Sequence, residues 1–171
     1  MSKFQQIYFR KKTIIVFYCL TNKTTFMEPI FMKQNEGFGY NETMLPDYDG
    51  FIILKPGFLE YCEDVRKDLR RRDFIIVESL EKTLTREEAE TIYSVHKDKA
   101  FFRELIDYMT SGPCIGMILK SPFSDRESST DALKLLKDKY RRRYGIDVMR
   151  NVLHSSDSYQ NALHEAETFF E

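Results

Sequence analysis

The sequence carries no excess of positive charge. Its 171 residues include 26 Lys and Arg against 27 Asp and Glu, which gives a net charge of −1. Proteins that bind nucleic acid through its backbone neutralise many phosphates with basic side chains. We therefore expect no nucleic acid as a partner, although this charge balance is compatible with binding a single nucleotide.

Cysteine is scarce and lacks paired spacing. Only Cys19, Cys62 and Cys114 are present, and no CxxC motif joins them. An odd number excludes a complete set of intrachain disulfides, the device that holds many small secreted domains together. The simpler interpretation is a reduced compartment, so we expect a cytoplasmic protein.

No apolar run near the N-terminus is long enough to cross a membrane. Residues 13–20 (TIIVFYCL) are fewer than the roughly 20 that a bilayer requires. The preceding Lys11 and Lys12 give the run some likeness to a signal peptide, but residues 21–25 (TNKTT) do not form a small-residue cleavage site. We predict a β-strand or an appended arm here, and no membrane partner.

The signatures of several common enzyme classes are missing. The sequence has no GxxxxGK[ST] phosphate loop and no GxSxG nucleophile elbow. Its histidines, His96, His154 and His164, lack Cys or His neighbours at zinc-ligand spacing. These absences argue against a P-loop enzyme, an α/β-hydrolase and a zinc site, whereas a Ser/His/Asp triad stays open.

A polar, turn-rich segment separates the N-terminal part of the chain from the rest. Polar and turn-forming side chains dominate residues 33–50, and a dense apolar pattern begins at Phe51. The length suffices for one domain with a core plus a tail. We predict an N-terminal arm and linker over 1–46 and a single domain over 47–171.

Short apolar runs alternate with amphipathic segments inside this domain. The apolar, β-rich runs predict strands at 51–54, 74–77 and 114–119. Helical spacing, a capping box and helix-stop residues predict helices over 58–69, 85–93, 101–109, 131–139 and 158–169. Strands separated by helices indicate an α/β layered fold, although periodicity leaves the strand order open.

One polar segment is a candidate for chemistry. Residues 150–158 (RNVLHSSDS) place His154 between an apolar, strand-like pair and a helix start, with Asn151 and Ser156 beside it. A neutral imidazole is a good nucleophile at neutral pH. The plainer alternative is that Ser156 or Asp157 caps the last helix and that His154 is an ordinary, partly buried histidine.

This segment resembles the active-site signature of nucleoside diphosphate kinases, in which a histidine follows Asn-x-x and precedes a small residue, Ser and Asp. Glu165, eleven residues after His154, matches a glutamate of the family's last helix. Three further blocks resemble the family in the same order: Lys55-Pro56-Gly57, Tyr93 with His96 and Phe101-Phe102, and residues 108–113 (YMTSGP). The resemblance runs from about Phe51 to Phe170.

The resemblance implies a fold and an activity. The fold is a ferredoxin-like βαββαβ core with added helices, an α+β sandwich within the broad α/β class. The activity is ping-pong transfer of a phosphoryl group from ATP or another nucleoside triphosphate to a nucleoside diphosphate, through a phosphohistidine. Mg²⁺ would arrive with the nucleotide rather than in a protein cage, and the chain would form a homo-oligomer, either a dimer or a hexamer.

The resemblance also assigns roles to individual residues. His154 would be the nucleophile, Glu165 would orient its imidazole, and Ser156 would support that contact. The phosphates would be bound by Lys55 and Arg141 with Tyr93 beside them, the ribose or phosphates by Asn151, and the base by Phe101 with Leu105 lining its slot. Structural alternatives stay open: Lys55 as a solvated strand end, Arg141 as part of a charged helix end, and Tyr93, Phe101 and Leu105 as packing residues.

The resemblance fails in one stretch. The family carries a second phosphate-binding arginine and a threonine ahead of the Arg141 segment, where this chain has Leu133, no counterpart of the threonine and a shorter loop. Lys134, Lys137 or Arg142 are candidates to replace the arginine, although a lysine lacks its bidentate fork. The loss puts the hexamer in doubt and leaves an alternative function, a catalytically weakened nucleotide-binding or scaffold module of the same fold.

Overall fold

The N-terminal part of the chain contains a small antiparallel sheet. The computed structural model describes residues 5–10, 13–18, 30–32 and 48–171, and the chain separates into two compact units, Met1–Thr43 and Met44–Glu171. In the first unit, strands β1 (Gln5–Arg10), β2 (Thr13–Tyr18) and β3 (Ile30–Met32) pair in that order. Strand β2 falls within the apolar run 13–20, whereas most of the predicted linker lies outside the described residues.

The second unit is built on a four-stranded antiparallel sheet. Its strands are β4 (Gly50–Leu54), β5 (Ile75–Lys82), β6 (Cys114–Lys120) and β7 (Leu153–Ser155), in the order β5-β6-β4-β7. The helices are α1 (Cys62–Arg70), α2 (Arg86–Ile92), α3 (Phe102–Met109), α4 (Arg126–Tyr144) and α5 (Tyr159–Phe170). Two β-α-β units, β4-α1-β5 and β6-α4-β7, interleave in the sheet, and this arrangement confirms the predicted ferredoxin-like core with added helices.

Helices cover both faces of this sheet. Side chains alternate along a strand, so Phe51 and Ile53 of β4 join the core under α2, α3 and α5, whereas Ile52 and Leu54 join the core under α1 and α4. His154 of β7 lies opposite Ile53. Because directly opposite residues share a face, His154 points to the side that α5 covers.

Two elements are longer than the sequence pattern predicts. Strand β5 continues past the predicted end at residue 77, because its second half forms an exposed sheet edge and needs no apolar pattern. Helix α4 extends well beyond the predicted 131–139. The Asp125 side chain caps its start by accepting from the Ser128 N–H, and Gly145 follows its last residue. The buried Leu133 and Leu136 mark only the middle of this helix.

Turns and caps set the positions of the chain next to the sheet. Gly57 has a φ of 82°, a conformation that favours glycine, and it turns the chain directly after Lys55 and Pro56. The predicted capping box is confirmed: Thr85 accepts from the Glu88 N–H, and Glu88 accepts from the Thr85 N–H.

Across the described residues, no helix is both long and apolar enough to span a bilayer.

Candidate active site

His154 is held by a buried carboxylate. Its Nε2 lies 2.7 Å from Oε2 of Glu165, which projects from α5 and is almost fully buried. The Ser156 hydroxyl donates to the same carboxylate oxygen at 2.6 Å. The structure therefore brings together the three residues that sequence reasoning assigned to catalysis.

The geometry decides which imidazole nitrogen is free. An ionised carboxylate only accepts hydrogen bonds, so His154 donates through Nε2 and keeps a lone pair on Nδ1. The alternative in which Ser156 or Asp157 caps the last helix is wrong, because Ser158 is the N-cap of α5 and accepts from the Asn161 N–H. Ser156 is left to bind Glu165.

A buried lysine lies at the end of β4. Lys55 is 3% exposed, and its Nζ donates to the Met149 carbonyl at 3.1 Å. Burial, followed by the positive charges of Arg141 and Lys137, lowers the pKa of Lys55 to about 7, with Asp147 acting in the opposite direction. The alternative of a solvated strand end is therefore wrong, and the lysine lies in a setting short of negative charge.

Arg141 reaches the same region from α4. Its Nε donates to the Leu153 carbonyl at 3.2 Å, which ties α4 to the strand that carries His154. Burial lowers the pKa of Arg141, but a guanidinium stays charged across the physiological range. Lys55 and Arg141 therefore present two cations near the His154 strand.

Asn151 carries a buried acceptor without a partner. Its Nδ2 donates to the Val148 carbonyl, whereas its Oδ1 is buried and has no hydrogen bond among the described residues. Buried polar atoms are normally satisfied, so an orphaned acceptor calls for an explanation. A donor group on a ligand, such as a hydroxyl, would complete it.

The aromatic residues of the predicted site divide into two kinds. The ring of Tyr93 packs edge-on against His154, with centroids 5.2 Å apart, while its hydroxyl contacts Met109 Sδ at 3.5 Å. Burial and the charge of Glu165 raise the pKa of Tyr93, so the phenol stays neutral. Phe101 is 44% exposed and available to a ligand, whereas Leu105 lies in the core under α2, α3 and α5.

Sequence reasoning gave His96 no role, yet the structure places it near the site. Its ring centroid lies 5.7 Å from that of Phe101. Burial is the main cause that lowers the pKa of His96, and the proximity of His154 acts in the same direction. The signal available in the sequence is its position three residues after Tyr93. In the structure it lies in a short 3-10 turn, Ser94–His96, that follows α2.

The position that lacks the family's second arginine is buried. Leu133 belongs to the core between the sheet and helices α1 and α4, so it contributes neither charge nor polarity.

Among residues 48–171, no group of three or more His, Cys, Asp or Glu side chains is placed to hold a metal ion.

Comparisons with known proteins agree with this geometry. The sequence profile of the family described as nucleoside diphosphate kinase matches residues 49–171. A nucleoside diphosphate kinase of Fervidobacterium nodosum is 34% identical over 127 residues, covering 70% of this chain and 86% of the relative. One from Carboxydothermus hydrogenoformans is 35% identical over 127 residues, covering 70% and 85%.

A solved structure extends the likeness to three dimensions. A crystal form of the Aquifex aeolicus nucleoside diphosphate kinase has a TM-score of 0.61 and 27% identity, covering 71% of this chain and 94% of that one. The residues that the family profile matches lie within the unit that carries His154. The chain belongs to the nucleoside diphosphate kinase family.

Proposed function

We propose that this protein moves the γ-phosphoryl group of a nucleoside triphosphate to a nucleoside diphosphate through a phosphohistidine at His154. The observation that carries the proposal is the pair of hydrogen bonds to Glu165. They hold the imidazole through Nε2 and leave Nδ1 as a nucleophile. Membership of the family supports the same activity.

The transfer has two mirrored steps. Nδ1 attacks the γ-phosphorus, the bond from that phosphorus to the β–γ bridging oxygen breaks, and the diphosphate leaves with the electron pair. In the second step, the terminal oxygen of another diphosphate attacks the phosphohistidine, and the P–N bond breaks. As Nδ1 gains the phosphoryl group the ring becomes positive, and the Glu165 carboxylate stabilises that charge at Nε2.

The remaining residues would position the substrate. Phosphoryl transfer needs alignment and charge stabilisation more than proton transfer. Lys55 and Arg141 would bind phosphate oxygens, and the orphaned Oδ1 of Asn151 would accept from a ribose hydroxyl. The exposed ring of Phe101 would stack on the base, while Tyr93 keeps the His154 ring in place.

The proposal also covers the metal ion, the compartment and the oligomeric state. We propose that Mg²⁺ enters bound to the phosphates as part of the substrate. The free thiols of Cys62 and Cys114 suit a cytoplasmic setting.

Strand β5 forms an exposed edge of the sheet, and its Ile75 is 63% exposed. This edge is suited to contact a second copy in a homo-oligomer, either a dimer or a hexamer.

A second function is favoured by one observation. Leu133, at the position of the family's second arginine, is buried in the core. A site with one cation fewer would bind nucleotide but transfer phosphate slowly, as expected of a regulatory or scaffold module. This alternative shares the fold and the binding residues and differs only in turnover.

Labelling with γ-labelled ATP and Mg²⁺, without an acceptor, separates the two functions. We expect label that is lost in acid, survives base and is discharged by ADP, because a phosphoramidate behaves in this way. His154→Ala should abolish the label, and His164→Ala, on the exposed face of α5, should retain it. Tight ADP binding without any labelling of the native protein would favour the scaffold function.

A further inference from the structure

Lys137 and Arg141 share one face of α4. Residues four apart on a helix lie one above the other, and Arg141 donates to the Leu153 carbonyl of β7. The face that carries both residues therefore looks toward the strand of His154. The Lys137 side chain is 12% exposed, so it lies against the protein instead of extending into solvent.

The carboxylate that faces Lys137 is mostly exposed. Lys137 Nζ lies 3.5 Å from Oδ1 of Asp157, whose side chain is 67% exposed and follows β7 directly after Ser156. A pair at this distance, with one exposed partner, is weak. A phosphate oxygen, which forms stronger charge-assisted hydrogen bonds, can compete for the ammonium group.

The surroundings of Lys137 hold more positive than negative charge. Lys137 and Arg141 both act on the buried Lys55, and the nearby carboxylate of Asp147 is already paired with Arg150 at 2.7 Å. The carboxylates that act on Arg141, Asp138 and Asp157, are both exposed. Three basic side chains that are largely buried thus face exposed carboxylates, and such a cluster suits a multiply charged anion.

The other candidate replacements for the missing arginine lie elsewhere. Lys134 pairs with Asp131 at 3.6 Å and is 39% exposed, and Arg142 is an exposed residue one position beyond Arg141. Of these three basic residues, Lys137 is the one whose charge acts on Lys55.

We infer that Lys137 is a third phosphate-binding side chain of the site, held by Asp157 until nucleotide binds. The inference rests on the proposed function, because it names a contact with that function's substrate. On binding, the ammonium exchanges the Asp157 carboxylate for a phosphate oxygen. Lys137 thereby supplies part of the charge that Leu133 does not.

The test compares two lysines of the same helix. Lys137→Met keeps the length of the side chain and removes its charge, and Lys134→Met makes the same change away from Lys55. We expect Lys137→Met to weaken Mg·ADP affinity by roughly 10–100-fold, since a charged hydrogen bond is lost, while Lys134→Met stays within about 2-fold. Lys137→Arg should restore the affinity, because it restores the cation.

The affinity for adenosine distinguishes a phosphate contact from a purely structural role of Lys137. It shares the base and ribose with ADP but has no phosphate, so Lys137→Met should leave its affinity unchanged. Equal weakening of adenosine and ADP, or an ADP affinity equal to that of Lys134→Met, would overturn the inference. Absence of label on the native protein would instead contradict the proposed function.

A second variant tests the same contact without touching Lys137. Asp157→Asn removes the competing carboxylate and leaves the lysine free. We expect Mg·ADP affinity to rise by about 2–5-fold, the range that a weak ion pair allows. An affinity that is unchanged or lower would show that Asp157 does not hold Lys137 back from the phosphates.

Discussion

The two halves of the candidate site differ in how their polar groups are satisfied. In the nucleophile half, His154 and Ser156 both donate to Glu165, and the set is complete within the protein. In the phosphate half, Lys55 and Arg141 donate only to main-chain carbonyls, as far as residues 48–171 are concerned. The first half is arranged before substrate arrives, whereas the second needs an anion.

This difference predicts different consequences of substitution. A change in the nucleophile half should slow phosphoryl transfer with little effect on nucleotide affinity, because no group there is reserved for binding. A change in the phosphate half should weaken nucleotide binding and alter its pH dependence, because the phosphates supply the negative charge that balances the buried basic side chains.

Apart from the loss of His154 itself, the largest effect should come from Lys55→Met. Loss of a buried cation at the phosphates should lower kcat/KM by roughly 10²–10³ and raise the Kd of Mg·ADP. Steady-state transfer from ATP to a diphosphate and calorimetric titration measure the two quantities. Lys67→Met on the outer face of α1, where the lysine is exposed, is the matched control. An unchanged Kd would remove Lys55 from the phosphate half.

Glu165→Gln should act on the chemistry alone. Glutamine still accepts from Nε2 but carries no charge to stabilise the developing imidazolium, so we expect phosphorylation to slow by roughly 10–100-fold. The Kd of ADP should change by less than about 2-fold. Single-turnover labelling measures the rate, and Glu167→Gln on the exposed side of α5 controls for charge. A matching loss of affinity would contradict the division of the site into two halves.

The affinity for ADP should fall as the pH rises above about 7. In the free protein Lys55 loses its proton near that pH, whereas bound phosphate favours the protonated form. The expected fall is up to about 10-fold per pH unit, accompanied by proton uptake on binding above pH 7. Titration in buffers of different ionisation enthalpy measures this uptake. A pH profile that is the same in Lys55→Met would assign the titration to another group.

Lys55→Met should also stabilise the free protein. The pKa of Lys55 is about 7 in the folded chain and near 10.5 in the unfolded one. Between these two pH values the unfolded chain binds more protons, so the contribution of Lys55 to the free energy of unfolding rises with pH. Removing the buried amine should raise the free energy of unfolding by about 1–2 kcal/mol at pH 7 and remove that slope. Denaturant unfolding without nucleotide tests this; a less stable variant would mean that the Met149 contact outweighs burial.

The smallest effect should follow removal of the N-terminal unit. We propose that residues 1–46 form an arm and linker outside the catalytic unit, 47–171. The family profile starts at residue 49, and the second compact unit starts at Met44. A chain of residues 44–171 should fold and bind ADP within about 2-fold of the full chain. An unfolded circular dichroism spectrum would place the N-terminal residues in the core.

The sequence predicts the buried elements better than the exposed ones. Strands β4 and β6 are recognisable because almost every side chain is apolar and the sheet is covered on both faces. The second half of β5 is polar because it lies on an edge, and the ends of α4 are set by Asp125 and Gly145 rather than by apolar spacing.

The site shows the same division. Asn151, His154 and Ser156 lie in one short segment that is visible in the sequence. The contact from His154 to Glu165 crosses from β7 to α5, so only the family resemblance pointed to it. The sequence leaves Lys137 as one of three candidates to replace the missing arginine. The predicted helix ends at residue 139, before Arg141, so the one-turn spacing of Lys137 and Arg141 is not apparent from the sequence.

The position of the phosphoryl group on the ring tests the central claim most directly. If Glu165 holds Nε2 and leaves Nδ1 free, phosphorus must bond to Nδ1 of His154. Phosphorus–nitrogen coupling in NMR spectra of the ¹⁵N-labelled, ATP-treated protein distinguishes the two ring nitrogens, and His154→Ala identifies the residue. We expect coupling to Nδ1, with no signal in the variant. Phosphorus bonded to Nε2, or a phosphohistidine that persists in His154→Ala, would contradict the account.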